Sequence, residues 1–251
     1  MNKSISAAQI KRIRSLQQKK FRADTSLFVV EGEKLVEEAL HSGYEIESLW
    51  KRDEIGPAAM ARISSLSSPS PVLAVVRQKK ILLSDIRLEK GRLYLMLDGV
   101  KDPGNLGTII RLADWFGVSA VFCSPDSVEL YNPKTIQATM GAIFRVPVVY
   151  CNLADVISKA EAGGTPVFGT FLDGKPLSDD FYSGIESGGI VVLGSESFGI
   201  SEDISAIIPK EKHILIPSFD KAGKIREGGH GSESLNVATA CAAILSLIRA
   251  R

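Results

Sequence analysis

The sequence predicts an α/β chain with a small αβ unit over residues 1–76, a linker over 77–92 and a larger domain over 93–251 built on a parallel sheet. In the larger part, short apolar runs alternate with amphipathic stretches, the order expected of parallel strands with helices on both faces. Between the parts the alternation lapses and charge accumulates at Arg77, Lys79, Lys80, Arg87, Lys90 and Arg92, which marks a boundary. Three of the larger part's strands stop at small or polar residues, and in open α/β sheets ligands sit outside the carboxyl ends of strands.

In the small unit, Ser6 and Gln9 have the form of a capping box, with Ile10, Ile13 and Leu16 behind them at helical spacing. A strand is expected at Leu27–Val30. A helix follows over Glu33–Leu40, with Leu35, Val36, Ala39 and Leu40 facing inward and Gly43 beyond its end. Next come a strand at Ile46–Trp50, a helix at Ala58–Leu66, a turn from Ser67 to Pro71 and a strand at Val72–Val76.

In the larger domain, a strand at Tyr94–Leu97 runs into a loop from Asp98 to Gly107 and a helix over Thr108–Phe116. Then follow strand Ala120–Cys123, helix Pro133–Phe144, strand Val146–Tyr150, helix Leu153–Ala162 and strands Val167–Leu172 and Ile190–Leu193. A short helix after Ser201, strand His213–Ile216 and a long apolar helix over Ser234–Ile248 complete the domain.

Composition excludes several classes. The apolar runs are too short for a bilayer and the start lacks the apolar core of a secretory signal, so a cytoplasmic protein is expected. Cys123, Cys151 and Cys241 are odd in number and each lies in an apolar context, which fits reduced core thiols. His41, His213 and His230 are scattered, and no metal-ligand spacing exists. The net charge is only +1, yet Lys3, Lys11, Arg12, Arg14, Lys19, Lys20 and Arg22 precede the first acid, and local charge of that kind steers a polyanion or forms a solvated face.

The loop Asp98–Gly107 follows a strand and opens a helix, as a phosphate cradle does. Its glycines, Gly99, Gly104 and Gly107, miss the G-x-G-x-x-G spacing, which leaves a Rossmann-type NAD-dependent enzyme resting on fold alone, with Asp126 as its candidate ribose ligand. Arg111 and Asp114, three apart on one helix, read as a surface ion pair. Glu196, between Gly194 and Gly199, reads as a carboxylate near the next helix's N-terminus or as a site residue. Ser234 and Asn236 both suit the cap of the last helix, whereas an Asn236 lying past that cap reads as an interior polar group needing a partner.

Asn105-Leu106-Gly107-Thr108-Ile109-Ile110-Arg111, Gly194-Ser195-Glu196-Ser197-Phe198-Gly199, and Ile216-Pro217 with Ser234-Leu235-Asn236-Val237 resemble, in order, the three signature motifs of the SpoU (TrmH-type) RNA ribose 2′-O-methyltransferases of the SPOUT class. Residues 1–76 resemble the small substrate-binding domain many members carry in front. The resemblance implies a parallel sheet whose C-terminal segment threads a loop into a trefoil knot. It also implies S-adenosylmethionine as cofactor, lined by Leu193, Gly194, Ile214, Ile216 and Leu235, and a homodimer acting on RNA, ribosomal rather than transfer. By the same resemblance Arg111 serves the reaction, supported by Asn105, Glu196, Ser234 and Asn236. A small residue at Gly194 is expected to admit the cofactor. Ser218 to Glu233 departs from the family's short spacing there, and reads as a lid or an RNA-contacting loop. A non-catalytic RNA-binding or assembly protein retaining the fold is the alternative from another class.

Overall fold

The computed structural model describes residues 4–177, 179–185, 188–225 and 234–250. The first part comprises helices α1 (Ala7–Ser15) and α2 (Lys19–Thr25), strand β1 (Leu27–Glu31), α3 (Glu33–His41), β2 (Ile46–Lys51), α4 (Arg52–Ile55), α5 (Pro57–Ile63) and β3 (Val72–Arg77). The Ser6–Gln9 capping box forms as the sequence implies. The central strand is β3, with β1 and β2 both antiparallel to it. Two expectations fail here. Leu40 is 51% exposed rather than inward, because Leu35, Val36 and Ala39 already fill the buried face of α3. The fifth helix ends at Ile63, short of Leu66, where the buried Glu31 carboxylate accepts from the Ser65 N–H at 2.8 Å and from the Ser64 and Ser65 hydroxyls.

The second part runs β4 (Leu93–Leu97), α6 (Pro103–Trp115), β5 (Ala120–Cys123), α7 (Pro133–Thr139), β6 (Val148–Tyr150), α8 (Leu153–Ala162), β7 (Val167–Pro176), α9 (Asp179–Ile185), β8 (Gly189–Leu193), α10 (Glu202–Ile207), β9 (His213–Leu215) and α11 (Val237–Arg249). Its six strands lie in the order β6-β5-β4-β8-β7-β9, every pair parallel. The parallel α/β sheet expected from the alternation is therefore present. The helix expected over Pro133–Phe144 stops at Thr139, because Met140 turns left-handed at φ 51°, and only a 3-10 turn at Ala142–Phe144 resumes it.

Alternate residues of each central strand feed opposite cores. Leu93, Leu95 and Leu97 of β4 join one cluster, with α6, α7 and α11; Tyr94 and Met96 join the other, with α8 and α10. The first cluster continues into the N-terminal part through Phe28, Val30, Val36, Ala39, Ala74 and Val76, so the two parts share a core. Polar contacts reinforce the seam. The Tyr131 hydroxyl accepts from the Lys79 N–H at 2.9 Å and donates to the Lys79 carbonyl at 2.8 Å, and the Gln137 amide donates to the Glu31 carbonyl at 3.1 Å. Arg22, only 2% exposed, donates to the Leu16 carbonyl at 2.7 Å and pairs with Glu129 across the seam. Its burial lowers its affinity for the proton, a cost that the Glu129 carboxylate offsets. Arg22 is thus removed from the basic surface that the sequence suggested.

Candidate active site

The strands β4 and β8 are sheet neighbours although some ninety residues separate them, and the chain runs outward from β4 in one direction and from β8 in the other. Such a switch point leaves a crevice at the carboxyl ends, and the first two sequence-singled loops leave from it. They are tied at the root, where the Asp98 N–H donates to the Leu193 carbonyl at 2.9 Å and the Asp98 carboxylate accepts from the Ser201 N–H at 2.7 Å.

The first loop is shorter than expected because α6 begins at Pro103, not Thr108. Asp102 caps it, its carboxylate accepting from the Asn105 N–H at 2.8 Å, and Pro103 occupies the first helical position, where its missing N–H costs nothing. Asn105 therefore sits in the first turn, on a rigid element. Gly107 serves packing: a Cβ there would lie 2.5 Å from the Ala138 Cβ and 2.6 Å from the Thr135 carbonyl, so it lets α6 and α7 touch.

In the second loop, Ser195 and Gly199 exchange backbone hydrogen bonds, both 2.9 Å, and the Phe198 N–H donates to the Ser195 hydroxyl at 3.1 Å. The loop is a closed hairpin that lifts Glu196 above the strand. A Cβ on Gly194 would stand 2.0 Å from the Gly199 carbonyl carbon, so glycine is required there by the loop's own closure and not by the approach of a ligand.

In the third segment Asn236 takes the capping role and not the interior one. It is exposed, and it is the N-cap of α11, which begins at Val237 rather than Ser234. Its Oδ1 accepts from the Ala238 and Thr239 N–H groups at 3.0 and 3.3 Å, which assigns the amide orientation. Its Nδ2 is left to donate to Glu196 Oε1 at 2.7 Å and to Asn105 Oδ1 at 3.0 Å. Asn105 Nδ2 donates to the same Glu196 oxygen at 2.5 Å. Three residues from three distant segments thus close one hydrogen-bonded triangle, and the N-termini of α6 and α11 converge on its carboxylate. A helix N-terminus favours a negative charge, so the placement is electrostatically matched.

Not every expected residue joins this cluster. Arg111 is exposed, six residues beyond Asn105 on α6 and so about 9 Å along its axis. Among the described residues it makes no ion pair, because Asp114, its expected partner, is held by Arg145. Ser234 is exposed and has no hydrogen bond among the described residues. Leu193 and Ile214 are buried, 1% and 4% exposed, so that only their backbones could meet a ligand, whereas Leu235 is 48% exposed and Ile216 half-buried. Asp98 and Asp102, which shape the first loop, were not singled out; the Asp102-Pro103 pair, a cap followed by a first-position proline, is the signal that would have placed them. Of the segment Ser218–Glu233, residues 226–233 lie outside the described part; before it, Phe219 and Ile225 pair across a turn organised by Asp220, whose carboxylate accepts from the Ala222 and Lys224 N–H groups.

Residues 92–246 match the SpoU rRNA Methylase family, and residues 7–80 match the MRM3-like substrate binding domain. The chain is 31% identical over an alignment of 257 residues, covering 96% of each protein, to the 23S rRNA (guanosine(2553)-2′-O)-methyltransferase RlmP of Bacillus subtilis. Among solved structures it is similar to a putative RNA methyltransferase of the TrmH family from Porphyromonas gingivalis, 35% identical, with a TM-score of 0.78 over 96% of this chain and 97% of that one. It is also similar to an AdoMet-bound rRNA methyltransferase from Sinorhizobium meliloti, 30% identical, with a TM-score of 0.84 over 99% and 97% of the two chains.

Proposed function

The chain belongs to the SpoU rRNA methylase family, and from that premise we propose that it methylates a ribose 2′-hydroxyl of ribosomal RNA with S-adenosylmethionine. The observation that supports this most directly is the Asn105–Glu196–Asn236 triangle at the sheet's switch point, with Arg111, which has no ion pair among the described residues, on the helix that carries Asn105.

The residues present fit the cofactor. Among the described residues no backbone hydrogen bond is formed by Ile216 or Leu235, and Leu235 adjoins Asn236 of the triangle, so polar backbone is open for a nucleoside. We assign Gly194, Ile216 and Leu235, with the backbones of Leu193 and Ile214, to hold it. When bound, S-adenosylmethionine supplies an electrophilic methyl group on a sulfonium centre. The chain's own part is to position the ribose and manage its proton. A guanidinium is a cation with five N–H donors and no acceptor, so Arg111 stabilises the developing 2′-alkoxide while water takes the proton. Asn105, Glu196 and Asn236 hold the three loops at one spacing, so that the cofactor and RNA sides of the pocket meet in a fixed orientation. Ser234, exposed beside Leu235, is assigned to the same site.

The same reading includes a trefoil knot in the C-terminal part, a substrate domain over 1–76 joined by 77–92 to the catalytic domain 93–251, and a cytoplasmic homodimer. The dimer is supported by the outer face of α6 and α11, where Trp115 is 83% and Leu247 42% exposed while Arg249 ties α11 to the Phe116 carbonyl at 2.8 Å. No helix among the described residues is long and apolar enough to cross a membrane.

The test is incubation with labelled S-adenosylmethionine and 23S rRNA from a strain lacking the gene, followed by alkaline hydrolysis. A 2′-O-methyl group blocks the internal attack that cleaves RNA, so label must emerge in alkali-resistant dinucleotides. Label on a base would overturn the ribose assignment. Cofactor binding with no transfer would turn the reading to a non-catalytic RNA-binding protein.

A further inference from the structure

Arg145 follows the 3-10 turn after α7 and reaches in two directions. Its Nε donates to both oxygens of Asp114 on α6, each at 3.1 Å, and its Nη2 donates to Asp114 Oδ2 at 2.9 Å. Its Nη1 pairs with Glu38 on α3 of the N-terminal part. The Asp114 carboxylate is the leading reason that the Arg145 guanidinium is held above the ordinary arginine range.

Asp114 lies three residues beyond Arg111 on one helix, a spacing at which side chains meet, and the sequence alone pairs them. In the structure the planar fork of Arg145 grips both Asp114 oxygens instead, a geometry favoured over a single contact, and Arg111 is left without an ion pair among the described residues. An anion one turn from Arg111 would compete with the phosphate or alkoxide for its guanidinium. We infer that Arg145 is a positioning residue: by holding Asp114 it keeps that carboxylate off Arg111, whose charge is thereby reserved for the RNA. The inference rests on the role given to Arg111 above. It also explains why an acid is tolerated so close to that arginine.

The decisive comparison uses four full-length variants: Arg145→Met, Asp114→Asn, the double variant, and Glu38→Gln, which cuts the arm to the N-terminal part but leaves Asp114 held. Methylation of 23S rRNA from the deletion strain is followed by kcat and KM, with cofactor Kd and Tm measured alongside. Arg145→Met should lower kcat on the order of tenfold, as losing part of an electrostatic stabiliser does, with cofactor Kd unchanged. Asp114→Asn and Glu38→Gln should stay near the parent, and the double variant should recover to within about threefold of it, because the trap for Arg111 is then gone. Should Arg145→Met lower Tm enough to obscure this, Arg145→Lys replaces it and should lose less. A parent-like Arg145→Met, a double variant as slow as the single, or a Glu38→Gln as slow as Arg145→Met would each overturn the inference, the last by making Arg145 a brace between the two parts. If the parent itself transfers no methyl group, the reaction assignment fails separately, and 23S rRNA binding still decides this question. The slope of log Kd against log salt should fall by up to about one in Arg145→Met and return in the double variant. An unchanged slope would sink the idea.

Discussion

At the scale of single residues, the proposed reaction assigns holding to the triangle and action to Arg111. Arg111 makes no ion pair among the described residues and stands apart from the triangle, so Arg111→Ala should abolish methyl transfer while leaving S-adenosylmethionine binding within a few-fold. Near-parent turnover would refute its role. Asn236 makes two kinds of bond through two different atoms, and Asn236→Asp separates them. The new carboxylate still caps α11, so the loss of about 1 kcal/mol expected on removing a cap is avoided. It no longer donates to Glu196 and places a second anion against it. Turnover should fall by about tenfold or more with far-ultraviolet helicity retained, whereas Asn236→Ala should lower Tm as well. An Asn236→Asp enzyme with parent-like activity would reduce the triangle to a cap. That Asn105, Glu196 and Asn236 would meet was legible in the sequence because each lies in one of three motifs that resemble a family's in order. The cap role of Asn236 was legible only as one of two options, since Ser234 suited the same position, and a cap is decided by which N–H groups the fold leaves open.

At the scale of elements, legibility followed local signals. Helix α8 matches its expected span Leu153–Ala162 because Asn152 caps it, its oxygen accepting from the Ala154 N–H at 3.0 Å, and glycines follow. Helix α2 passed unnoticed because its stretch is basic, its cap Gln18 makes no side-chain bond, and its buried residue is an arginine paired with a distant acid. No local pattern could reveal that pairing. Nor could any reveal that β4 lies beside β8, for both are apolar throughout and either could neighbour any other strand. The hairpin that carries Glu196 is where a local rule misled: glycine at 194 reads as room for a ligand but is filled by Gly199. Gly194→Ala should therefore open the hairpin, lowering Tm by several degrees and abolishing cofactor binding together, since a Cβ cannot fit without moving backbone. Loss of cofactor affinity at an unchanged Tm would restore the ligand-approach explanation.

At the scale of the whole molecule, the basic N-terminus and the shared core must be read together. Deleting residues 1–76 would strip cover from the core around Tyr131 and Ile136, so weakened RNA binding in such a truncation would report damage as readily as lost phosphate contacts. The structure also divides the basic residues. Arg22 is buried against Glu129 and Arg12 pairs with Glu47 at 2.6 Å, whereas Lys11, Arg14, Lys19 and Lys20 are exposed and join no salt bridge among the described residues. These four are exposed cations of the N-terminal helices that have no acidic partner among the described residues and could release counterions from RNA. Changing them together to Gln leaves the seam intact and should weaken 23S rRNA binding, lowering the slope of log Kd against log salt by up to about 3, since each phosphate contact contributes roughly 0.7–0.9. Cofactor Kd and Tm should hold. Changing Arg22 instead should lower Tm, because it leaves Glu129 without its partner in the seam, while the salt slope stays near the parent. A full slope in the fourfold variant would move the RNA-binding surface off α1 and α2, to the linker arginines and lysines or to the segment from Ser218. A reduced slope would show that the same end of the chain that docks on the catalytic part also presents its charge to the RNA.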